Sequence, residues 1–211
     1  MFKKVSFFNV IFLISLINFS FAFEKEAESL VQSTTDNAKK IILDNSIKLE
    51  EKKQKIENIA LDVVDVDGLG RFTLGSSREN LTEEQLKLYT KTFRTFFAKN
   101  ISSRLQNYSD QDIKVTGSKK ISDNYVLVSS KMISKKDNQE IIIDWRVFNV
   151  NNKLVIRDLV VEGLSLAKTQ REEFSSILAS KGFDGLINNL KEVISKNEFD
   201  ILFVKLVILK L

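Results

Sequence analysis

The chain has 211 residues, enough for one domain with a true hydrophobic core, and its 43% apolar and 28% charged residues are a globular balance. It contains no Cys and no His, which excludes disulfides, thiolate nucleophiles, serine–histidine catalysis and the commonest metal ligands. The net charge of +4 falls to +2 once Lys3 and Lys4 are set aside with a leader, so there is no strong electrostatic footprint for nucleic acid.

The start reads as a secretion signal. Lys3 and Lys4 precede an apolar run over 5–19, and Ser20-Phe21-Ala22 places small residues at the two positions a signal peptidase reads. Residues 1–22 are expected to be a signal peptide cleaved after Ala22. The alternative, a retained anchor, has an apolar run shorter than the ~20 residues of a spanning helix, interrupted by Asn9, Ser15 and Asn18.

A first helix is expected over 23–45, with Leu30, Val31, Ala38, Ile41 and Ile42 on its apolar side. Ser46 is placed to cap a second, where Leu49, Ile56, Ile59, Ala60 and Val63 recur at helical spacing. A third covers 66–74, with Leu74 before the helix-stopping Gly75. Gly68-Leu69-Gly70 lacks the spaced glycine of a phosphate loop and reads as a turn or close helix packing. Asp62, Asp65 and Asp67 lack the full ligand series of a calcium loop and read as capping or solvated residues. Thr82-Glu83-Glu84-Gln85 forms a capping box, with Leu81 and Leu86 placed as a hydrophobic staple. The helix it opens is expected to reach Tyr108, with a broad aromatic face turned toward the strands that follow.

The periodicity then becomes extended. Ile113 and Val115 open a strand, and 125–133, 140–150 and 154–162 follow, separated by short polar breaks that favour an antiparallel meander. The run Ile141-Ile142-Ile143 predicts a strand buried on both faces. Two helices close the domain, one over 166–180 stopped by Gly182 and one capped by Asp184. The order predicts an α+β domain: a curved antiparallel four-stranded sheet with helices on its concave side. The apolar tail 198–211 is too short to span a bilayer. Asp158 and Glu162, four apart on one strand, would share a face. They read either as a carboxylate pair for a hydrolase or as ion-pair partners of Arg146, Arg157 or Arg171.

Several blocks resemble the MlaC, or toluene-tolerance, family. The most specific runs from Ile143-Asp144-Trp145-Arg146 through Asp158-Leu159-Val160-Val161-Glu162-Gly163-Leu164-Ser165-Leu166 to Arg171, Phe174 and Lys181-Gly182-Phe183-Asp184-Gly185-Leu186. A second is Arg71-Phe72-Thr73-Leu74-Gly75, then Thr82-Glu83-Glu84-Gln85 and Phe93, Arg94 and Phe97. The resemblance covers 24–197 and departs at Gly68-Leu69-Gly70, at Leu154, where an aromatic is usual, and in the tail. It implies an NTF2-like body, residues 23–197, around an apolar pocket for phospholipid tails, in a periplasmic carrier that serves an Mla-type ABC transport system and outer-membrane lipid asymmetry. It implies no enzymatic activity and no cofactor, with phospholipid as cargo. The partners implied are an MlaA-type outer-membrane lipoprotein complex and an MlaD-type inner-membrane lipid-binding subunit. The pocket wall is then expected from Tyr89, Phe93, Phe96, Phe97, Ile101, Val128, Trp145, Val147, Leu159, Val161, Leu166 and Phe174. Leu74, Gly75, Asp158, Glu162, Gly163, Ser165 and Arg171 are expected to be structural. The competing classes are a carboxylate hydrolase on the same body and a membrane-tethered interaction protein.

Overall fold

The computed structural model describes residues 8–103, 111–135 and 139–196. Helices α1 (Phe8–Leu43), α2 (Leu49–Val63), α3 (Val66–Leu74) and α4 (Glu83–Ser103) come first. Strands β1 (Asp112–Ser122), β2 (Tyr125–Ile133), β3 (Glu140–Val150), β4 (Lys153–Val161) and β5 (Leu164–Ser165) follow, and α5 (Leu166–Lys196) ends the described chain. The strands form one antiparallel sheet in chain order.

The fifth strand was not expected. It arises because the two-residue turn after β4 holds both members at positive φ, Glu162 at 50° and Gly163 at 82°, which matches the twist of a tight hairpin. Glu162 is held in that conformation by Ile142, whose amide donates to its carboxylate at 2.7 Å and whose carbonyl accepts its amide at 3.0 Å. Asn151 (51°) and Asn152 (63°) make the same kind of turn between β3 and β4. Register shifts near Gly117, Ser122 and Arg146/Val147 bend the sheet.

One sheet face is covered by α1. Phe23, Ala27 and Val31, four residues apart, pack with Val126, Val128, Trp145 and Val147. The neighbouring stripe bonds to the edge strand β1: Glu24 accepts from the Lys120 amide (2.7 Å), Glu28 from the Ser118 hydroxyl (2.7 Å) and Gln32 from the Val115 amide (3.1 Å). The exposed edge is thereby closed by helix side chains. Within this core the Trp145 indole donates to Ser130 Oγ (2.8 Å), which donates to the Ile143 carbonyl (3.0 Å), so no polar group is stranded. The strand β3 is buried on one face only: Ile141 and Ile143 point inward, but Ile142 is 51% exposed. The consecutive isoleucines record strand propensity there, not double burial.

The helices form a second core. The α4 stripe was expected to face the sheet; it turns instead to α3 and α5. Tyr89, Phe93 and Phe96 pack with Val66 and Leu74 of α3 and with Phe174, Leu186, Ile187 and Leu190 of α5. Periodicity defines an apolar face but not what covers it. The capping box forms, with Gln85 N–H donating to Thr82 Oγ1 (3.2 Å) and Thr82 N–H to Gln85 Oε1 (2.9 Å). Ser46 does not cap α2; its amide and hydroxyl both bond to Asp44, and α2 begins after Lys48 without a side-chain cap. The break inside α5 falls at Gly182, at φ 68°. The part of the fourth helix expected beyond Ser103 and the tail 198–211 lie outside the described residues. Among the described residues no helix is long and apolar enough to cross a membrane.

Candidate functional site

The twelve expected wall residues divide between the two cores. Val128, Trp145, Val147, Leu159, Val161 and Leu166 belong to or pack against the sheet core, and Tyr89, Phe93, Phe96, Phe97 and Phe174 to the helical core. Ile101 is half-buried on the last turn of α4. Val64 packs against both cores and marks the seam between them. Phe97, Ile101, Leu159 and Leu166 are half-buried, whereas the other eight are buried. Tyr89 also shares a 2.7 Å hydrogen bond with Thr73, and burial pushes its hydroxyl pKa up against that bond.

The glycines of α3 have steric work to do. A Cβ at Gly70 would lie 3.0 Å from the Phe93 ring, so α3 lies directly against the aromatic stripe. A Cβ at Gly68 would strike the Asp65 carboxylate, which bends back to accept the Gly68 amide at 2.9 Å and cap the helix. The three acidic residues around it are separately engaged: Asp62 with Lys153, Asp65 with Arg157 and Asp67 with Arg94. Gly75 has φ 58°, and a Cβ there would come within 3.0 Å of Arg171 Nε. Arg171 in turn lays its guanidinium 5.2 Å from the Phe72 ring centroid.

Asp158 is the hub of the sheet-to-helix junction. It is 8% exposed and accepts from Ser165 Oγ (2.6 Å) and the Ala167 amide (2.9 Å), with Arg146 Nη1 at 3.4 Å. Ser165 Oγ accepts the Lys168 amide (3.1 Å), so Asp158 and Ser165 together cap α5. Glu162 stands beyond the end of β4, exposed, with its carboxylate on the Ile142 amide. The two carboxylates expected on one strand face therefore have different partners and different surroundings.

Beside this hub lies a cleft of about 400 Å³, open between α3 and the β3–β4 pair. Its lining includes Arg71, Arg78, Arg146 and Arg157 with Phe72 and Phe148. The sequence reading missed it as a unit. Arg71 and Arg146 stood in separate blocks, and no periodicity joins positions on a helix, a following turn and two strands.

Partial burial pushes the Asp65 carboxyl up, but the Gly68 amide and the Arg157 guanidinium outweigh it and hold the pKa below the usual aspartate value. A lowered carboxylate pKa contributes stability that is complete above the unfolded value near ~3.9 and is lost as pH falls through the lower folded value. Asp65→Asn keeps a capping side chain but removes the charge. It is expected to cost about 1–2 kcal/mol in urea denaturation at pH 7. The gap should narrow toward pH 3; an unchanged gap would disprove the charge contribution.

A curved antiparallel sheet backed by helices, with two apolar cores meeting at one seam, defines an α+β protein. A family model described as "MlaC protein" matches residues 32–192, and the chain belongs to that family. The intermembrane phospholipid transport system binding protein MlaC of Haemophilus influenzae is 25% identical over 174 residues, covering 79% of this chain and 81% of the relative. A solved structure of a phospholipid-binding protein from Ralstonia solanacearum, in complex with a phospholipid, superposes with a TM-score of 0.69 at 20% identity. That likeness covers 81% of this chain and 97% of the other, and is one of fold.

Proposed function

We propose that this chain is a periplasmic phospholipid carrier, delivered by a signal cleaved after Ala22, and not an enzyme. It would exchange lipid with an MlaA-type outer-membrane complex and an MlaD-type inner-membrane subunit. The observation that carries this is family membership over 32–192, joined to an intermembrane phospholipid transport relative that matches most of both chains. The geometry is in keeping with it. Phe23, Ala27 and Val31 pack into the sheet core, and a mature chain starting at Phe23 retains all three. The acyl tails are assigned to the seam between the cores, against the half-buried Phe97, Ile101, Leu159 and Leu166. Each sheltered methylene is worth ~0.8 kcal/mol, and a bilayer offers the same shelter, so transfer can run either way at a docking protein. Tails make no directional bonds, and chain length should be read loosely.

The test is mass spectrometry of the protein expressed with its leader and purified from the periplasm. An intact mass starting at Phe23 and phospholipids of mixed chain length in the organic extract are expected. Phe97→Asp, at a half-buried site, should lose the lipid while remaining folded. Folded wild-type protein with no phospholipid in its extract would sink the carrier assignment.

A further inference from the structure

We propose that the arginine cleft beside α3 is a phosphate-binding site, separate from the place assigned to acyl tails. Along β3 the side chains alternate. Trp145 and Val147 enter the core beneath α1, so Arg146 and Phe148 stand on the opposite face, where the cleft lies. Four guanidinium groups line the cleft against one carboxylate, Asp158.

Their partners do not neutralise them. Among the described residues the arginine ion pairs are Arg94–Asp67, Arg146–Asp158 and Arg157–Asp65. Among the described residues Arg71 and Arg78, exposed at the cleft, have no carboxylate within ion-pair distance, although Arg71 helps to lower the Asp65 pKa through space. Arg157 is fixed from behind: Nε and Nη2 each lie 2.8 Å from Asp65 Oδ2, and its guanidinium lies 5.1 Å from the Phe148 ring centroid. Arg146 is only half satisfied, because Nη1 reaches Asp158 at 3.4 Å while Nε is shut away from solvent with no acceptor. A half-satisfied Arg146 and two arginines without an ion-pair carboxylate on one cleft wall make an arrangement that an incoming oxyanion completes.

The ligand chemistry follows from the fork. Guanidinium groups present parallel N–H donors that match the oxygens of a phosphate mono- or diester. A cleft of about 400 Å³ lies within the range of small-molecule sites and accommodates a phosphate with a glycerol-sized substituent. Phe72 and Phe148 supply apolar walls for that substituent. A lipid headgroup and a free phosphate compound share this chemistry. An acidic protein segment is less well matched, since a broad flat surface of cations would serve it better than a cleft of this size.

The experiment titrates the purified mature chain with inorganic phosphate alone, followed by calorimetry or by amide shifts in NMR. Parallel arms use dihexanoyl phosphatidylglycerol and the uncharged dihexanoylglycerol. Arg71→Gln with Arg78→Gln, both on exposed positions, should weaken phosphate binding about tenfold or more, and added salt should weaken the wild type. Arg146→Lys keeps the charge but removes Nε, and should weaken binding several-fold. Arginine-dependent binding of inorganic phosphate supports the site with a free phosphate as source. Arginine-dependent preference for the phosphatidyl over the uncharged lipid supports it with a headgroup as source. Equal phosphate affinity in wild type and the double variant overturns it, as does arginine-dependent binding of a Glu-rich peptide with none of phosphate. Lipid carried unchanged by the double variant would show that the two sites fail independently.

Discussion

Phe174→Ala is expected to lower the free energy of unfolding by about 3–5 kcal/mol, the cost of truncating a large buried aromatic into a cavity that cannot collapse. Phe174 is 1% exposed and sits among three rings, edge-on to Tyr89 (6.5 Å, 89°) and Phe93 (6.2 Å, 88°) and tilted to Phe96 (6.1 Å). It is also where α5 meets α4, so the loss would loosen helix docking as well as local packing. For a domain with a stability of about 5–15 kcal/mol the variant would approach the threshold of folding. Urea denaturation checks it. The same measurement decides how the buried aromatics serve the protein. If Phe174 faced a preformed lipid chamber, truncation would enlarge an existing space and cost little. A loss below about 1 kcal/mol would therefore move the tails from the seam into the aromatic cluster.

Most elements were legible because their signals are local. The Thr82–Gln85 box is a hydrogen-bond pattern written in four residues, and it forms as read. The strands β2 and β3 have the predicted bounds because polar, turn-forming residues flank dense β-branched runs. The misreadings share another cause. Ser46 has the chemistry of a cap, yet Asp44 two residues earlier captures it in a turn. Ile142 is apolar but exposed, since a residue's character does not say whether anything covers its face. The aromatic stripe of α4 found helices and not the sheet, because the partner of an apolar face is chosen by topology. The arginine cleft is the extreme case. Its members come from positions 71 to 157, and they are brought together where the link between α2 and α3 joins β4 through the backbone bridge between Val64 and Ile156. Gly68 and Gly70 looked like departures from the family pattern, yet Gly68 leaves room for the Asp65 cap and Gly70 for the Phe93 ring of α4.

Asp158→Ala is expected to cost about 3–5 kcal/mol, because it strips the acceptor from a buried network and leaves its donors behind. The Ser165 hydroxyl, the Ala167 amide and part of the Arg146 guanidinium would lose their acceptor at a site nearly closed to water. The first turn of α5 would lose half its cap, and with it the anchor that fixes the helix against β4. Asp158→Asn preserves the shape and one acceptor oxygen and should cost less, about 2 kcal/mol, since one of the donors then meets an amide NH₂. This ordering separates the structural role from the hydrolase alternative. A catalytic carboxylate would let Asp158→Asn fold with wild-type stability while abolishing turnover on a lipid ester. A capping carboxylate makes thermal and urea stability fall in the order wild type, Asn, Ala, with lipid content following the folded fraction. Glu162→Gln supplies the contrast: its carboxylate is exposed and accepts the Ile142 amide, a bond that an amide oxygen can also accept, so stability should change by well under 1 kcal/mol. Equal losses at the two positions would mean that they work as one unit after all.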